Sequence, residues 1–225
     1  MMRRRVERPG VRAGYDRWSS SYDATPNPVV ALDRRHTLRA LCPRPGERVL
    51  DAGCGTGAHL AGVAAAGGRA FGLDFSRGML RIARQNAPGA RLVQADLGRE
   101  LPVRPGGFDA LLSSLVSEHL KDLRRFFRGC FGALRRGGRL VFSAFHPEPA
   151  RSGIEANFTE DGTEYRLGAE RYTVDDYLNH IADAGFVRLA WREVAADALL
   201  ADEIPGAARH VGRPLLLLVC AERAR

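Results

Sequence analysis

The chain has 225 residues, 45% of them hydrophobic and 27% charged, with 25 Gly and 12 Pro. This is the composition of an ordinary globular protein with enough length for one large domain and its core. The formal charge is +8, yet only Lys121 is a lysine, and the arginines are scattered among Asp and Glu along the whole chain. Nucleic-acid binding usually needs a denser basic block, so no nucleic-acid partner is expected. Cys42, Cys54, Cys130 and Cys220 form no CxxC pair and have no histidine at ligand spacing. Neither a zinc site nor a disulfide framework is expected, and a cytoplasmic setting suits them. The longest apolar run, 215–221, is about a third of a membrane span. No apolar segment follows the basic N-terminus as a secretory signal would require.

In chain order, residues 1–13 read as a loose basic leader carrying Arg3, Arg4, Arg5, Arg8 and Arg12. Residues 14–44 read as an N-terminal helical cap, polar and aromatic, broken by Pro26 and Pro28. An alternation then begins. Residues 47–51 are a short apolar strand entering a glycine loop, and 57–66 are a helix rich in small residues. A second strand covers 69–74, and Ser76 caps a helix reaching about Asn86. Strands follow at 91–94 and 108–114, then an amphipathic helix over 122–134 stopped by Gly137 and Gly138, then a strand over 139–145. Strands separated by helices imply βαβ units and a parallel sheet covered on both faces. In the last third, 147–172 are polar and aperiodic. Thr173 with Asp176 opens a helix to about Ala184 in the manner of a capping box. A strand over 187–194, an irregular segment over 195–213 and a final apolar strand over 214–221 complete the chain.

The strongest chemical signal is Val49-Leu50-Asp51-Ala52-Gly53-Cys54-Gly55-Thr56-Gly57, a strand running into a glycine loop and a helix. Glycines at alternate positions let the backbone turn sharply and approach a ligand closely. In an open parallel sheet this loop lies where ligands bind. A dinucleotide site would carry G-x-G-x-x-G to meet a pyrophosphate. Here the spacing is G-x-G-x-G behind Asp51, and a carboxylate beside the loop suits a ligand with cationic groups better.

The nonapeptide resembles the first motif of class I S-adenosylmethionine-dependent methyltransferases, in particular the type 11-like small-molecule branch. Further segments match in order: Gly72-Leu73-Asp74-Phe75-Ser76, Gln94-Ala95-Asp96-Leu97, 108–114 and 134–140. The resemblance covers 15–146 well and continues more weakly to the end. It implies a Rossmann-like three-layer αβα sandwich with a seven-stranded, mostly parallel sheet whose last strand is antiparallel, in a single domain. It implies S-adenosylmethionine as cofactor, S-adenosylhomocysteine as product and no metal. Asp74 would take the ribose hydroxyls and Asp96 the adenine amine. Asp51, Gly53, Cys54, Gly55, Gly57, Phe75, Met79, Leu97 and Ser113 would complete the cofactor site, Cys54 as a small loop residue and not a nucleophile.

Tyr15, Trp18 and Tyr22 precede the first strand. An aromatic face near a sulfonium would gain cation–π attraction. Trp18 is expected to pack the helix on the core and Tyr22 to touch cofactor or acceptor. His119 and His146 follow the fourth and fifth strands and are the candidate general bases, each with the alternative of an ordinary loop histidine. The segments 147–172 and 195–213 are expected to wall the acceptor side, where Arg151, Phe158, Tyr165 and Tyr172 would bind an anionic or aromatic molecule or belong to a plain polar loop. The expected function is methyl transfer to an O or N atom of a small molecule. An RNA methyltransferase and a non-catalytic cofactor-binding protein are the alternatives, since fold alone does not fix function.

Overall fold

The computed structural model describes residues 5–151 and 153–225; Arg3 and Arg4 of the leader lie outside them. The first half comprises β1 (Arg5–Glu7), α1 (Val11–Trp18), α2 (Pro28–Leu41), β2 (Arg48–Ala52), α3 (Ala58–Ala65), β3 (Arg69–Asp74), α4 (Arg77–Asn86), β4 (Arg91–Gln94) and β5 (Phe108–Ser114). It continues with α5 (Leu123–Ala133), β6 (Leu134–Phe145), α6 (Pro147–Arg151), β7 (Asn157–Glu160), β8 (Thr163–Arg166), α7 (Val174–Asp183), β9 (Phe186–Ala195), α8 (Ala198–Glu203) and β10 (Pro214–Arg223).

The main sheet has seven strands in the order β4-β3-β2-β5-β6-β10-β9, with β10 antiparallel to both its neighbours. From Val49 onward β2 is wholly buried, as a central parallel strand covered on both faces must be. One face is covered by α5 and α7 through Phe126, Phe127, Tyr177 and Ile181. The other is covered by α2 and α3 through Leu32, Leu41, Leu60 and Val63. This is the three-layer sandwich expected from the alternation. Strand order reverses between β2 and β5, so the carboxyl ends of these strands open a crevice.

A polar bolt crosses the second core. Asp33 of α2 accepts hydrogen bonds from Thr37 Oγ1 (2.6 Å) and Ser143 Oγ (2.6 Å), and its other oxygen lies 2.7 Å from His59 Nε2. All four residues are buried. Burial opposes ionisation of Asp33, but the bonds from His59, Ser143 and Thr37 prevail and hold its carboxyl below the usual range. Burial likewise opposes the charge on His59, and the adjoining carboxylate raises its pKa nonetheless.

Two expectations are corrected. The part of the leader at Arg5–Glu7 is no loose tail but a strand, parallel to β8 in a small sheet ordered β1-β8-β7. An edge strand leaves backbone donors and acceptors unpaired, and β1 satisfies those of β8; Arg8 then pairs with Glu155. The segment 195–213 does not wall the acceptor side. It forms α8 and a 3-10 turn, Pro205–His210, that bury Leu200 and Ala207 in the α2 core. Arg35 of α2 holds it through Asp197 and Glu203.

The Asp33 bolt has a measurable signature. Asp33→Ala leaves a buried imidazolium unpaired and should cost about 3–5 kcal/mol in urea unfolding near pH 6. The loss should shrink toward pH 8, where His59 sheds its proton in the variant. An equal loss at both pH values would mean that the pair is not ionic.

Candidate active site

A cleft enclosing about 660 Å³ of empty space, its open mouth included, lies at the carboxyl ends of β2, β3, β4 and β5 beneath α1. Its floor is the glycine loop. Gly55 has φ +50°, and a Cβ there would meet nothing within 4 Å, so the loop leaves a cradle open. Gly57 has φ +82°, and a Cβ there would lie 3.0 Å from the Ala83 backbone, so only glycine lets α3 start this close to α4.

Asp74 closes β3. Its Oδ2 accepts the Gly55 N–H at 2.9 Å and its Oδ1 accepts the Ser76 N–H at 2.9 Å. Burial pushes its pKa up, while the backbone donors of Ser76, Gly55 and Phe75 pull the other way. The carboxylate is therefore fixed in orientation, and each oxygen keeps a lone pair for a ligand donor. Phe75, Met79 and Leu97 form an apolar slot beside it, with Asp96 in the same wall. Asp96 Oδ1 is held by the Gly98 N–H at 2.9 Å.

The cap over the cleft is pinned by two aspartates. Asp16 of α1 accepts from Ser76 Oγ (2.7 Å) and the Gly78 N–H (2.9 Å), completing the N-terminus of α4 from outside. Asp23 accepts from Thr56 Oγ1 at 2.9 Å and pairs with Arg34. Tyr15 and Tyr22 are thereby set in the cleft wall. His119 ends the 3-10 turn Ser117–His119, and its Nε2 lies 2.9 Å from the Tyr15 hydroxyl. Its Nδ1 is buried with no hydrogen-bond partner. Burial lowers the imidazole pKa, against an opposing contribution from Glu118, so the ring is neutral near pH 7.

Of the residues singled out in the sequence, Tyr22, Gly53, Gly55, Asp74, Phe75, Met79, Asp96, Leu97 and His119 line this one cleft. Others do not. Cys54 is buried, with Sγ against Gly72. Ser113 is turned inward and donates to the Ala52 carbonyl at 2.8 Å, and strand alternation brings Ser114 to the cleft in its place. His146 is buried off the cleft, 3.2 Å from Glu193 and accepting the Glu148 N–H on Nδ1; it has no route to an acceptor there. Tyr15, Ser114, Leu115 and Val116 also line the cleft and carry no sequence motif. Trp18 stacks on Phe158, which stacks on Tyr165, with ring centroids 5.0 Å apart in each pair. Phe158 and Tyr165 therefore brace the cap and do not face an acceptor. Arg151 is exposed at the end of α6. Tyr172 instead helps line a smaller second cavity, on the far side of the Ser117–His119 turn. Among the described residues no group of three or more His, Cys, Asp or Glu is placed to hold a metal ion.

Asp51 sits behind the glycine loop, 1% exposed, with no partner on either oxygen. Burial pushes its carboxyl up to about 7, with Asp33 and Asp74 adding to the rise and His59 opposing it. The folded protein thus keeps a proton that the unfolded chain releases above about pH 4, and stability falls as pH rises from there to about 7. Asp51→Asn should remove a penalty of at most about 1.4 kcal/mol per pH unit over that window. The variant should match the parent near pH 4 and exceed it by a few kcal/mol at pH 8 in denaturant titrations. A variant less stable at pH 8 would show that Asp51 has a partner when folded.

A family model described as a methyltransferase domain matches residues 50–142. The chain is 35% identical over 152 residues to a demethylmenaquinone methyltransferase of Clavibacter sepedonicus, covering 64% of this chain and 61% of that protein. It is 31% identical over 209 residues to one of Streptomyces avermitilis, covering 82% of this chain and 89% of that protein. The structure of an S-adenosylmethionine-dependent methyltransferase from Mesorhizobium loti superposes with a TM-score of 0.68 at 31% identity, over 83% of this chain and 95% of that one. With the glycine loop, the ordered acids and the seven-stranded sheet in place, the chain belongs to the class I S-adenosylmethionine-dependent methyltransferases.

Proposed function

We propose that the chain binds S-adenosylmethionine in the cleft and transfers its methyl group to an O or N atom of a small-molecule acceptor. The observation that carries the reading is the pairing of Asp74, locked by the Gly55 and Ser76 N–H groups, with the buried, unpartnered Asp51 behind the same loop. Two carboxylates there repel a pyrophosphate. They suit a ligand that offers hydroxyl donors at one end and an ammonium at the other. The open cradle at Gly55 and the slot of Phe75, Met79 and Leu97 fit the remaining bulk of an adenosyl group.

When bound, the cofactor supplies an electrophilic methyl on a sulfonium, so the protein's share is alignment, desolvation and proton removal. In this reading Asp74 accepts from the ribose hydroxyls, Asp96 from the adenine amine, and Asp51 offsets the ammonium. His119 is the base. Burial keeps the Tyr15 phenol protonated, and with Nε2–H of His119 donating to the Tyr15 oxygen, the lone pair of Nδ1 is left to take the acceptor proton. Tyr15 then fixes the tautomer and the ring plane. Relatives named for demethylmenaquinone support a small-molecule acceptor. An RNA acceptor is not favoured, because neither cavity has a lysine or arginine among its described lining residues. None of these roles calls on a metal.

S-adenosylhomocysteine should raise the thermal midpoint of the purified protein and NAD should not. Asp74→Ala should weaken that binding by about 1.5–3 kcal/mol for each charge-assisted bond lost. Stabilisation by NAD with S-adenosylhomocysteine inert would defeat the assignment. Once an acceptor is in hand, His119→Ala should lower kcat by about 10²–10⁴ with cofactor affinity unchanged, and Tyr15→Phe by a smaller factor. An unchanged kcat in the His119 variant would remove the base from the mechanism and favour a protein that aligns an already nucleophilic acceptor.

A further inference from the structure

The second cavity lies on the far side of the Ser117–His119 turn from the cofactor cleft and holds about 340 Å³ of empty space, mouth included. Phe145, Pro147, Ala156, Tyr172 and Tyr177 make its walls largely apolar. Consecutive residues of the turn face the two spaces: Glu118 lines the second cavity, while His119 lines the cleft.

Glu118 is the anomaly. Its Oε2 is shut off from solvent and has no hydrogen-bond partner. The other two acids of the cavity are accounted for, Glu155 by Arg8 at 2.9 Å and Glu170 by its exposure at the rim. The charge of Glu118 also reaches the cofactor cleft, where it acts on Tyr15, Tyr22 and His119. A chain with a formal charge of +8 has thus kept every lysine and arginine out of both described linings. What it leaves between them is one desolvated carboxylate oxygen. Such an atom is costly unless a donor meets it, and a cationic donor meets it best.

We infer that the acceptor is an amine that arrives as an ammonium on an apolar body, its charged end held by Glu118 and its body in the second cavity. The inference rests on the methyltransferase reading above and narrows its acceptor to nitrogen. Anionic acceptors, whether phosphates or carboxylates, meet only like charge here. His119 stands next in the chain to the binding carboxylate. The ammonium hands one proton to its Nδ1, and the nitrogen lone pair so freed takes the methyl group while the carbon–sulfur bonding pair stays on sulfur. Charge balances: ammonium and sulfonium become methylated ammonium and imidazolium.

The test is calorimetric binding of a series of phenylalkylamines with one to four methylenes, beside the matching alcohols and carboxylates. It is run with and without saturating S-adenosylhomocysteine, on the parent and on Glu118→Gln. At least one amine should bind tenfold or more tighter than its alcohol, the carboxylates should bind least, and Glu118→Gln should cut the amine-to-alcohol ratio about tenfold while S-adenosylhomocysteine binds both proteins alike. A carboxylate binding as well as its amine, an unchanged ratio in the variant, or no binding by any amine would overturn the inference. Failure of S-adenosylhomocysteine to bind the parent would instead strike the cofactor reading, and the arms without it would still report the amine preference.

Discussion

The site depends on a carboxylate kept out of water at the end of the central strand. Asp51 follows Val49 and Leu50 into the middle of the sheet, where the neighbours β3 and β5 and the covering helices leave it no solvent and no donor. Its position is fixed by strand pairing, not by local attraction. Folding alone does not repay that burial, since a carboxyl pushed up to about 7 marks an environment hostile to its charge. Behind it the Asp33–His59 pair contributes a compensated charge of each sign, and in front of it the glycine loop keeps the backbone thin. A ligand that brings a positive charge to the loop would remove the hostility, and in this way fold stability and cofactor affinity are linked.

The roof of the site is built from remote parts of the chain. The strands β1, β7 and β8 form a sheet too small to stand alone. They are secured because Phe158 and Tyr165 stack beneath Trp18, so the same aromatic column that stabilises the hairpin also seats α1. Asp16 and Asp23 then fasten the cap to the loops after β3 and β2. Tyr15 reaches His119 only because all of these hold together. The cap is thus a third layer of the site and not an appendage of it.

The alternation of strands and helices was legible because each central strand is a short apolar run and each helix start carries its own cap. Ser76 accepts the Met79 N–H, and Thr173 and Asp176 form the full reciprocal box. The acids at strand ends were legible for the same reason: position on a parallel sheet fixes where a side chain emerges. What escaped was mostly parity and long-range pairing. Ser113 and Ser114, or Phe145 and His146, differ by one residue and point to opposite faces, and a motif does not say which. The three residues of β1 pair across some 158 positions with β8, and no local pattern encodes that. One signal was present and unread: Asp161-Gly162, both with positive φ (48° and 74°), is the two-residue turn that marks a hairpin between flanking strands.

The most direct measurement of the central claim is the proton balance of cofactor binding. Calorimetry of S-adenosylhomocysteine in buffers of different ionisation enthalpy counts the protons exchanged. If an ammonium settles against Asp51, whose carboxyl stands at about 7, binding near pH 7 should release roughly half a proton. The release should fade toward pH 9, where the carboxyl is already ionised, and vanish in Asp51→Asn. Binding that exchanges no proton at any pH between 6 and 8 in the parent would contradict the account.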